Sequence, residues 1–102
     1  MVMKKNFVNI DQLDVTKSEQ LGDDRMFSVQ WAVSNATNGL DTVEVVAAQD
    51  SANVNFSVTN ASGESASGWD LFQFPVGSSL DVTVRAKDAD GNVSKETKSI
   101  TL

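Results

Sequence analysis

Cysteine, histidine and tyrosine are all missing from this 102-residue chain. Without cysteine or histidine there is no thiol nucleophile, no imidazole base, no Ser-His-Asp triad and no ordinary zinc site. Without cysteine there is also no disulfide, so a hydrophobic core must stabilise the fold, and a domain of this size can just supply one. We therefore expect one domain, residues 1–102, that is not an enzyme and has neither catalytic residues nor a cofactor.

Positive charge is also scarce. Eight Lys and Arg stand against fourteen Asp and Glu, which gives a net charge of −6, and residues 26–84 contain no Lys or Arg at all. An acidic surface repels phosphate backbones, so we expect no nucleic-acid partner. The ordinary interpretation of the acidic middle segment is a set of solvated faces and loops, and the alternative is a surface that attracts cations.

Long hydrophobic runs are missing too. Lys4 and Lys5 resemble the start of a signal peptide, but Asn6, Asn9 and Asp11 interrupt the segment that follows. No run reaches the length that crosses a membrane, so we expect no membrane insertion by this segment. Either the protein stays where it is made, or this is one domain of a larger secreted chain.

The residues that are abundant favour β-structure. Valine supplies 14 positions, and Ser, Thr and Asn together supply 27, a mixture typical of strands joined by polar turns. Apolar and polar residues alternate most regularly in the segment 26–34, where Phe27, Val29, Trp31 and Val33 share one face. Seven strands are predicted, at 7–16, 26–34, 42–48, 54–59, 69–74, 80–87 and 93–102.

The alternation also predicts which side chains are buried between two packed sheets. The expected core contains Val29, Trp31, Val45, Phe56, Trp69, Leu71, Val82 and Val84. The alternation changes phase within the first strand and within the last, which predicts a bulge in each. We expect the segment 42–48 to lie centrally in its sheet, since only Glu44 would discourage edge pairing.

Three segments resemble a known superfamily. Phe-Ser-Val-Gln-Trp at 27–31 resembles the second strand of fibronectin type III and related immunoglobulin-like modules. The run 75–94, with Ala-Lys-Asp-Ala-Asp-Gly-Asn at 86–92, resembles the penultimate strand and hairpin of fibronectin type III, PKD and bacterial or archaeal Ig-like domains, and 96–102 resembles their final strand. Leu80 stands where these families usually have a tyrosine. The Trp-Asp-x-Gly-Asp-Gly signature of PKD domains is missing, as is an Arg-Gly-Asp sequence.

The resemblance implies an all-β, seven-stranded, immunoglobulin-like (fibronectin type III-like) antiparallel β-sandwich. It further implies a non-catalytic structural or adhesive module, a spacer or protein-interaction unit of a bacterial or archaeal surface or secreted protein. The expected location is then extracellular or on the cell surface. The expected partners are neighbouring domains or another surface protein.

Two sets of residues suggest ligand binding instead. Asp88, Asp90 and Asn92 have the spacing that opens a calcium loop, although a tight hairpin explains the same residues. Trp69 and Phe72 are candidates for a carbohydrate platform, because sugar faces stack on aromatic rings. Large apolar side chains are more often core, which is the competing interpretation.

Glycan could also be attached to the chain. Sequons of the form Asn-x-Ser/Thr occur at Asn35, Asn55, Asn60 and Asn92. Three of them fall in loops that should cluster at one end of a sandwich. The alternative function is therefore a carbohydrate- or calcium-binding accessory module.

Overall fold

A computed structural model describes residues 8–49 and 53–102 of the chain. These residues form seven antiparallel strands in two sheets. The sheet orders are β1-β2-β5 and β4-β3-β6-β7. The strands are β1 (Asn9–Leu21), β2 (Asp24–Ser34), β3 (Leu40–Ala48), β4 (Val54–Asn60), β5 (Ala66–Pro75), β6 (Ser79–Asp88) and β7 (Val93–Thr101).

The predicted all-β class with seven strands is confirmed, and the two sheets are consistent with a β-sandwich. Phe7, the first residue of the strand predicted at 7–16, lies outside the described residues. The predicted central position of 42–48 is also confirmed, because β3 lies between β4 and β6. In the described part of the chain we find no helix with the length and apolarity needed to cross a bilayer.

The core lies between the sheets and is built from alternating positions. Five of the eight predicted core residues are buried there: Val29, Trp31, Val45, Val82 and Val84. Phe27 is fully buried, and its ring stacks on Phe72 and Phe74 with centroid separations of 5.6 and 6.1 Å. Such aromatic contacts add to the free energy that burial of apolar area contributes.

The predicted burial of three core residues is wrong. Phe56, Trp69 and Leu71 are 66%, 61% and 50% exposed. Residues paired across neighbouring strands share a face, so their partners explain the error. Phe56 lies opposite Val46, which alternates with the buried Val45, and therefore points outward.

The same register argument applies to β5. Trp69 and Leu71 lie opposite the outward residues Gln30 and Ser28, whereas Phe72 lies opposite the buried Phe27. Phe72 and Phe74 are thus the inward residues of β5, and the outer face of its sheet carries Trp69 and Leu71.

The two predicted bulges have different outcomes. In β1 the pairing register shifts between Ile10 and Gln12, so the bulge predicted in the first strand is confirmed. The register between β6 and β7 is continuous, so the bulge predicted in the last strand is wrong. Val93 simply points outward and is 40% exposed, whereas Ile100 packs against the core.

Strand β1 continues past the predicted residue 16 to Leu21. Its final residues are polar and exposed, and the pairing with β2 carries them to Gln20 opposite Arg25. A second register shift between Lys17 and Gln20 lets this arm twist. Cross-strand pairing rather than burial therefore sets the length of β1.

Candidate functional site

Three loops meet at one end of the sandwich, which we call the loop pole (residues 35–39, 61–65 and 89–92). Backbone hydrogen bonds join the loops, from Ala36 N–H to the Glu64 carbonyl and from Ala89 N–H to the Gly39 carbonyl, at 3.0 and 2.9 Å. The Asn38 side-chain amide donates to the Asp90 carboxylate across 2.5 Å. The predicted clustering of these loops is confirmed.

Asp88 organises the hairpin loop at this pole. Its side chain is buried and accepts hydrogen bonds from the Asp90 and Asn92 backbone N–H groups at 3.0 and 2.8 Å, and from the Asn92 amide at 3.0 Å. Burial raises the pKa of Asp88, but these bonds and one from the Gly91 backbone together lower it below its usual value. Gly91 has a φ of +87°, the left-handed conformation that glycine adopts without strain.

The geometry of this loop favours the hairpin interpretation over the calcium interpretation. Asp88 directs its oxygens at N–H donors inside the loop, and Asp90 accepts from Asn38. Across residues 8–49 and 53–102, no group of three or more acidic side chains lies close enough together to hold a metal ion. Calcium requires six to eight oxygen ligands, and calcium binding by Asp88, Asp90 and Asn92 stays a prediction.

Of the two proposed platform residues, only Trp69 is available to a ligand. Phe72 is 6% exposed and packs against Phe27, so the two side chains lie on opposite faces of β5. Trp69 shares its face with Leu71 and lies opposite Gln30. We call the outer face of the sheet β1-β2-β5 around this residue the Trp69 face.

The Trp69 face combines an apolar surface with polar neighbours. Gln30 pairs in turn with Asp14 of β1, which accepts a hydrogen bond of 2.7 Å from the amide of Gln12. An exposed indole beside amide and carboxylate groups offers a stacking surface with hydrogen-bonding groups around it.

A partly buried polar bridge near one side of the sandwich was not predicted from the sequence. Asp70 accepts a hydrogen bond of 3.2 Å from the Trp31 indole Nε1 and one of 2.8 Å from the Ser57 hydroxyl. It thereby joins edge strand β5 of one sheet to edge strand β4 of the other. The signal was available in principle, because a buried tryptophan requires an acceptor for its N–H and Asp70 alternates with Trp69 and Leu71.

Strand β4 presents apolar side chains to solvent. Val54, Phe56 and Val58 are 42%, 66% and 51% exposed, and all three point away from the core. The polar residues between them face inward, and Ser57 reaches Asp70. This outward row is called the β4 ridge.

One surface depression, of about 440 Å³, is lined by residues from the end of β3, the start of β6 and the end of β7. Its one carboxylate, Asp81, accepts a hydrogen bond of 2.7 Å from the Ser99 hydroxyl.

The sequon asparagines differ in their surroundings. Asn35, Asn55 and Asn60 are exposed. Asn92 is half-buried, and its amide nitrogen donates to Asp88. A glycan on Asn92 would therefore disturb the hairpin, whereas the other three asparagines are solvent-accessible, Asn55 from the inward side of edge strand β4.

The described chain starts and finishes at opposite ends of the sandwich. Asn9 pairs with Ser34 next to the loop pole. Leu102 exchanges backbone hydrogen bonds with Gly77 and Ser78, and the neighbouring Val76 N–H bonds to the Asp23 carbonyl in the turn between β1 and β2. We call this second end the turn pole. The strands between the poles contain up to 13 residues.

Comparisons with known proteins bear on the fold. No protein-family model matches the chain, and no curated protein matches it either. Its fold is similar to that in the crystal structure of a candidate ApaA protein from Bordetella pertussis, with a TM-score of 0.62 over 99% of this chain and 98% of that one. The two sequences are 8% identical, so the likeness concerns the fold alone. The described part of the chain is all-β, with seven antiparallel strands in two sheets, consistent with a β-sandwich.

Proposed function

We propose that this chain is a non-catalytic, immunoglobulin-like structural module that acts as a spacer in a bacterial or archaeal surface or secreted protein. The observation that carries the proposal is the position of the two ends of the described chain at opposite poles. The polypeptide segments that precede and follow such a module are held apart from each other by the full length of the strands. Neighbouring domains are then its natural partners.

The strand order supports the immunoglobulin-like part of the proposal. In the constant-type arrangement the first, second and fifth strands share one sheet, and the third, sixth and seventh share the other. The same six strands divide in that way here. The fourth strand departs from the arrangement, since β4 pairs with β3 and does not join β5.

The closure of both sides of the sandwich supports a stiff module. On one side Asp70 links β5 to Ser57 of β4. On the other, the Lys17 ammonium donates to the Thr101 carbonyl across 3.2 Å, which links β1 to β7. A closed and packed sandwich resists bending, and stiffness is the property that separates a spacer from a flexible linker.

A distance measurement between flanking reporters tests the spacer function. Two small folded domains, each with one spin label, are fused to the two ends of the chain, and the distance distribution is measured by electron–electron resonance. We expect a narrow distribution. A matched fusion with a glycine–serine linker of equal residue number should give a broad one. A distribution as broad as the linker's would overturn the proposal.

A second candidate function, carbohydrate binding, is favoured by one specific observation. Trp69 is 61% exposed on the outer face of its sheet, whereas tryptophan is highly buried on average. Sugar rings stack on such surfaces, and the amide of Gln30 and the carboxylate of Asp14 lie along the same cross-strand row. The ligand would be a glycan that lies across the strands.

Intrinsic fluorescence tests this candidate with an internal reference. Trp31 is 2% exposed and serves as the silent fluorophore, whereas Trp69 should respond when a sugar stacks on it. The chain is titrated with soluble oligosaccharides of several backbone types, alongside a Trp69→Ala variant. A saturable spectral shift that the variant loses supports binding. A shift that the variant retains, or no shift with any glycan, overturns it.

A further inference from the structure

Strand β4 lies at the end of its sheet and has a free edge. This strand pairs on one side with β3, in a register without irregularities, and no other described strand pairs with it. Its sequence, Val-Asn-Phe-Ser-Val-Thr-Asn, contains no charged residue and no proline. A regular, uncharged edge strand with exposed N–H and C=O groups is a template for pairing with another strand.

The other three edges of the two sheets carry the features that discourage such pairing. Strand β1 has two register shifts, and β5 has the charged Asp70 and ends at Pro75. On β7, Glu96 and Lys98 lie opposite the buried Val84 and Val82, so charged side chains occupy the inward side of that edge. Irregular pairing, proline and inward charge all protect edges. Among the described edge strands, β4 alone lacks every one of them.

The chemistry of β4 identifies its partner. The chain has a net charge of −6, so two copies repel one another unless their contact lacks acidic groups. Strand β4 has none, and both acidic side chains beside it already have partners. Glu44, on the outer face of β3, forms an ion pair of 3.4 Å with Arg85, and Asp70 of β5 accepts hydrogen bonds from Trp31 and from Ser57 of β4. Contact between the outer sides of two β4 strands therefore places little like charge opposite like charge.

Symmetry supplies the remaining complementarity. In an antiparallel pair related by a two-fold axis through a residue of β4, every residue faces one of the same alternation phase. Val54, Phe56 and Val58 of one copy would then lie opposite the same three residues of the other copy. Pairs of an aromatic with a β-branched residue stabilise strand contacts. The polar residues of the inner phase would likewise face polar residues.

We propose that β4 pairs antiparallel with β4 of a second copy of this chain. The two four-stranded sheets become one continuous eight-stranded sheet, and the two β4 ridges merge into a shared apolar cluster around Phe56. The contact leaves the loop pole and the turn pole uncovered, so it is independent of the spacer proposal.

Sedimentation equilibrium over a wide range of chain concentration tests the dimer. We expect reversible dimerisation of the native chain. Phe56→Lys should weaken it by about tenfold or more, because the pairing then brings like charges together. The matched control is Val93→Lys, which places the same charge on the same sheet face but on β7, and it should leave dimerisation unchanged. Circular dichroism verifies that both variants fold, as their exposed positions lead us to expect.

Disulfide trapping tests the register. Because the chain has no cysteine, single-cysteine variants at Asn55, Phe56 and Val58 give unambiguous crosslinks. Strong crosslinking at one or two of these positions, and none for Val93→Cys, supports antiparallel β4 pairing. A chain that remains monomeric up to millimolar concentration overturns the proposal. So does a dimer that Phe56→Lys leaves intact, since another face or another strand would then form the contact.

Discussion

Gly68 lies directly over the indole ring of Trp31. A Cβ atom added at Gly68 would sit 2.7 Å from Trp31 Cζ2 and 3.1 Å from Cε2. The two residues face one another across the pairing of β2 with β5, and Trp31 is almost fully buried. Glycine is therefore required at position 68 for the close approach of the ring.

Gly68→Ala should lower the free energy of unfolding by about 1–3 kcal/mol, because the methyl group forces the indole out of its packed position. Equilibrium denaturation in urea measures the loss. Ser67→Ala, one residue away and exposed, is the control and should change stability by less than about 0.5 kcal/mol. Adding Trp31→Phe to Gly68→Ala should recover part of the loss. If the losses of unfolding free energy caused by Gly68→Ala and by Trp31→Phe simply add in the double variant, the steric account is contradicted.

The bridge centred on Asp70 should stabilise the side of the sandwich where β4 and β5 meet. Asp70→Ala leaves the Trp31 N–H without its acceptor and should cost about 1–3 kcal/mol of unfolding free energy. Asp81→Ala removes an exposed carboxylate that also accepts from a serine, and it should cost far less. A double-mutant cycle with Trp31→Phe measures the coupling. Strict additivity in that cycle would contradict a direct Trp31–Asp70 interaction.

The corrected core assignment predicts opposite outcomes for two phenylalanines. Phe27→Ala should lower the unfolding free energy by about 3–5 kcal/mol, since it removes a ring that packs on Phe72 and Phe74. Phe56→Ala should change the stability of the monomer by about 0.5 kcal/mol or less, because its ring lies in solvent. Thermal or urea unfolding of the dilute chain distinguishes them. Comparable losses in the two variants would place Phe56 in the core after all.

Asp88 should contribute to stability in a pH-dependent way. Its pKa is lower in the folded chain than the ordinary value of 3.8, so the ionised carboxylate stabilises the fold above that value. The contribution is lost as the pH falls through the folded pKa. Asp88→Asn should therefore have a lower free energy of unfolding than the native chain at neutral pH, and this difference should narrow as the pH falls below about 4. Urea unfolding of both chains across this pH range measures the difference. A difference that stays constant with pH would contradict the account.

Alternation in the sequence predicted the strands well but gave the wrong inward side for β4 and β5. In β2 only one phase is strongly apolar, so the predicted burial of Val29 and Trp31 is confirmed. In β5 both phases carry large apolar residues, and the inward one also contains Asp70, whose charge is tolerated because Trp31 and Ser57 donate to it. Only the pairing register with β2 decides between them.

The burial of Phe56 in β4 was predicted wrongly for a different reason. The apolar phase of a strand is ordinarily the buried one, but here the inward phase contains Ser57, whose hydroxyl donates to Asp70. The candidate sites show the same limit. Spacing alone gave Asp88, Asp90 and Asn92 a calcium interpretation, whereas the direction of their N–H and carboxylate groups favours a braced hairpin. Local sequence does not specify side-chain direction in a loop.

The central claim, that a stiff sandwich holds its two ends apart, is tested most directly by one distance within the chain. Spin labels at Thr37→Cys and Val76→Cys occupy the loop pole and the turn pole, both at exposed positions in a chain that has no other cysteine. With strands of 11 residues or so between the poles, we expect one narrow distance of roughly 40 Å. The pair Thr37→Cys and Ala89→Cys, both at the loop pole, should give a much shorter one. A broad distribution for the first pair, or one as short as the second, would contradict the account.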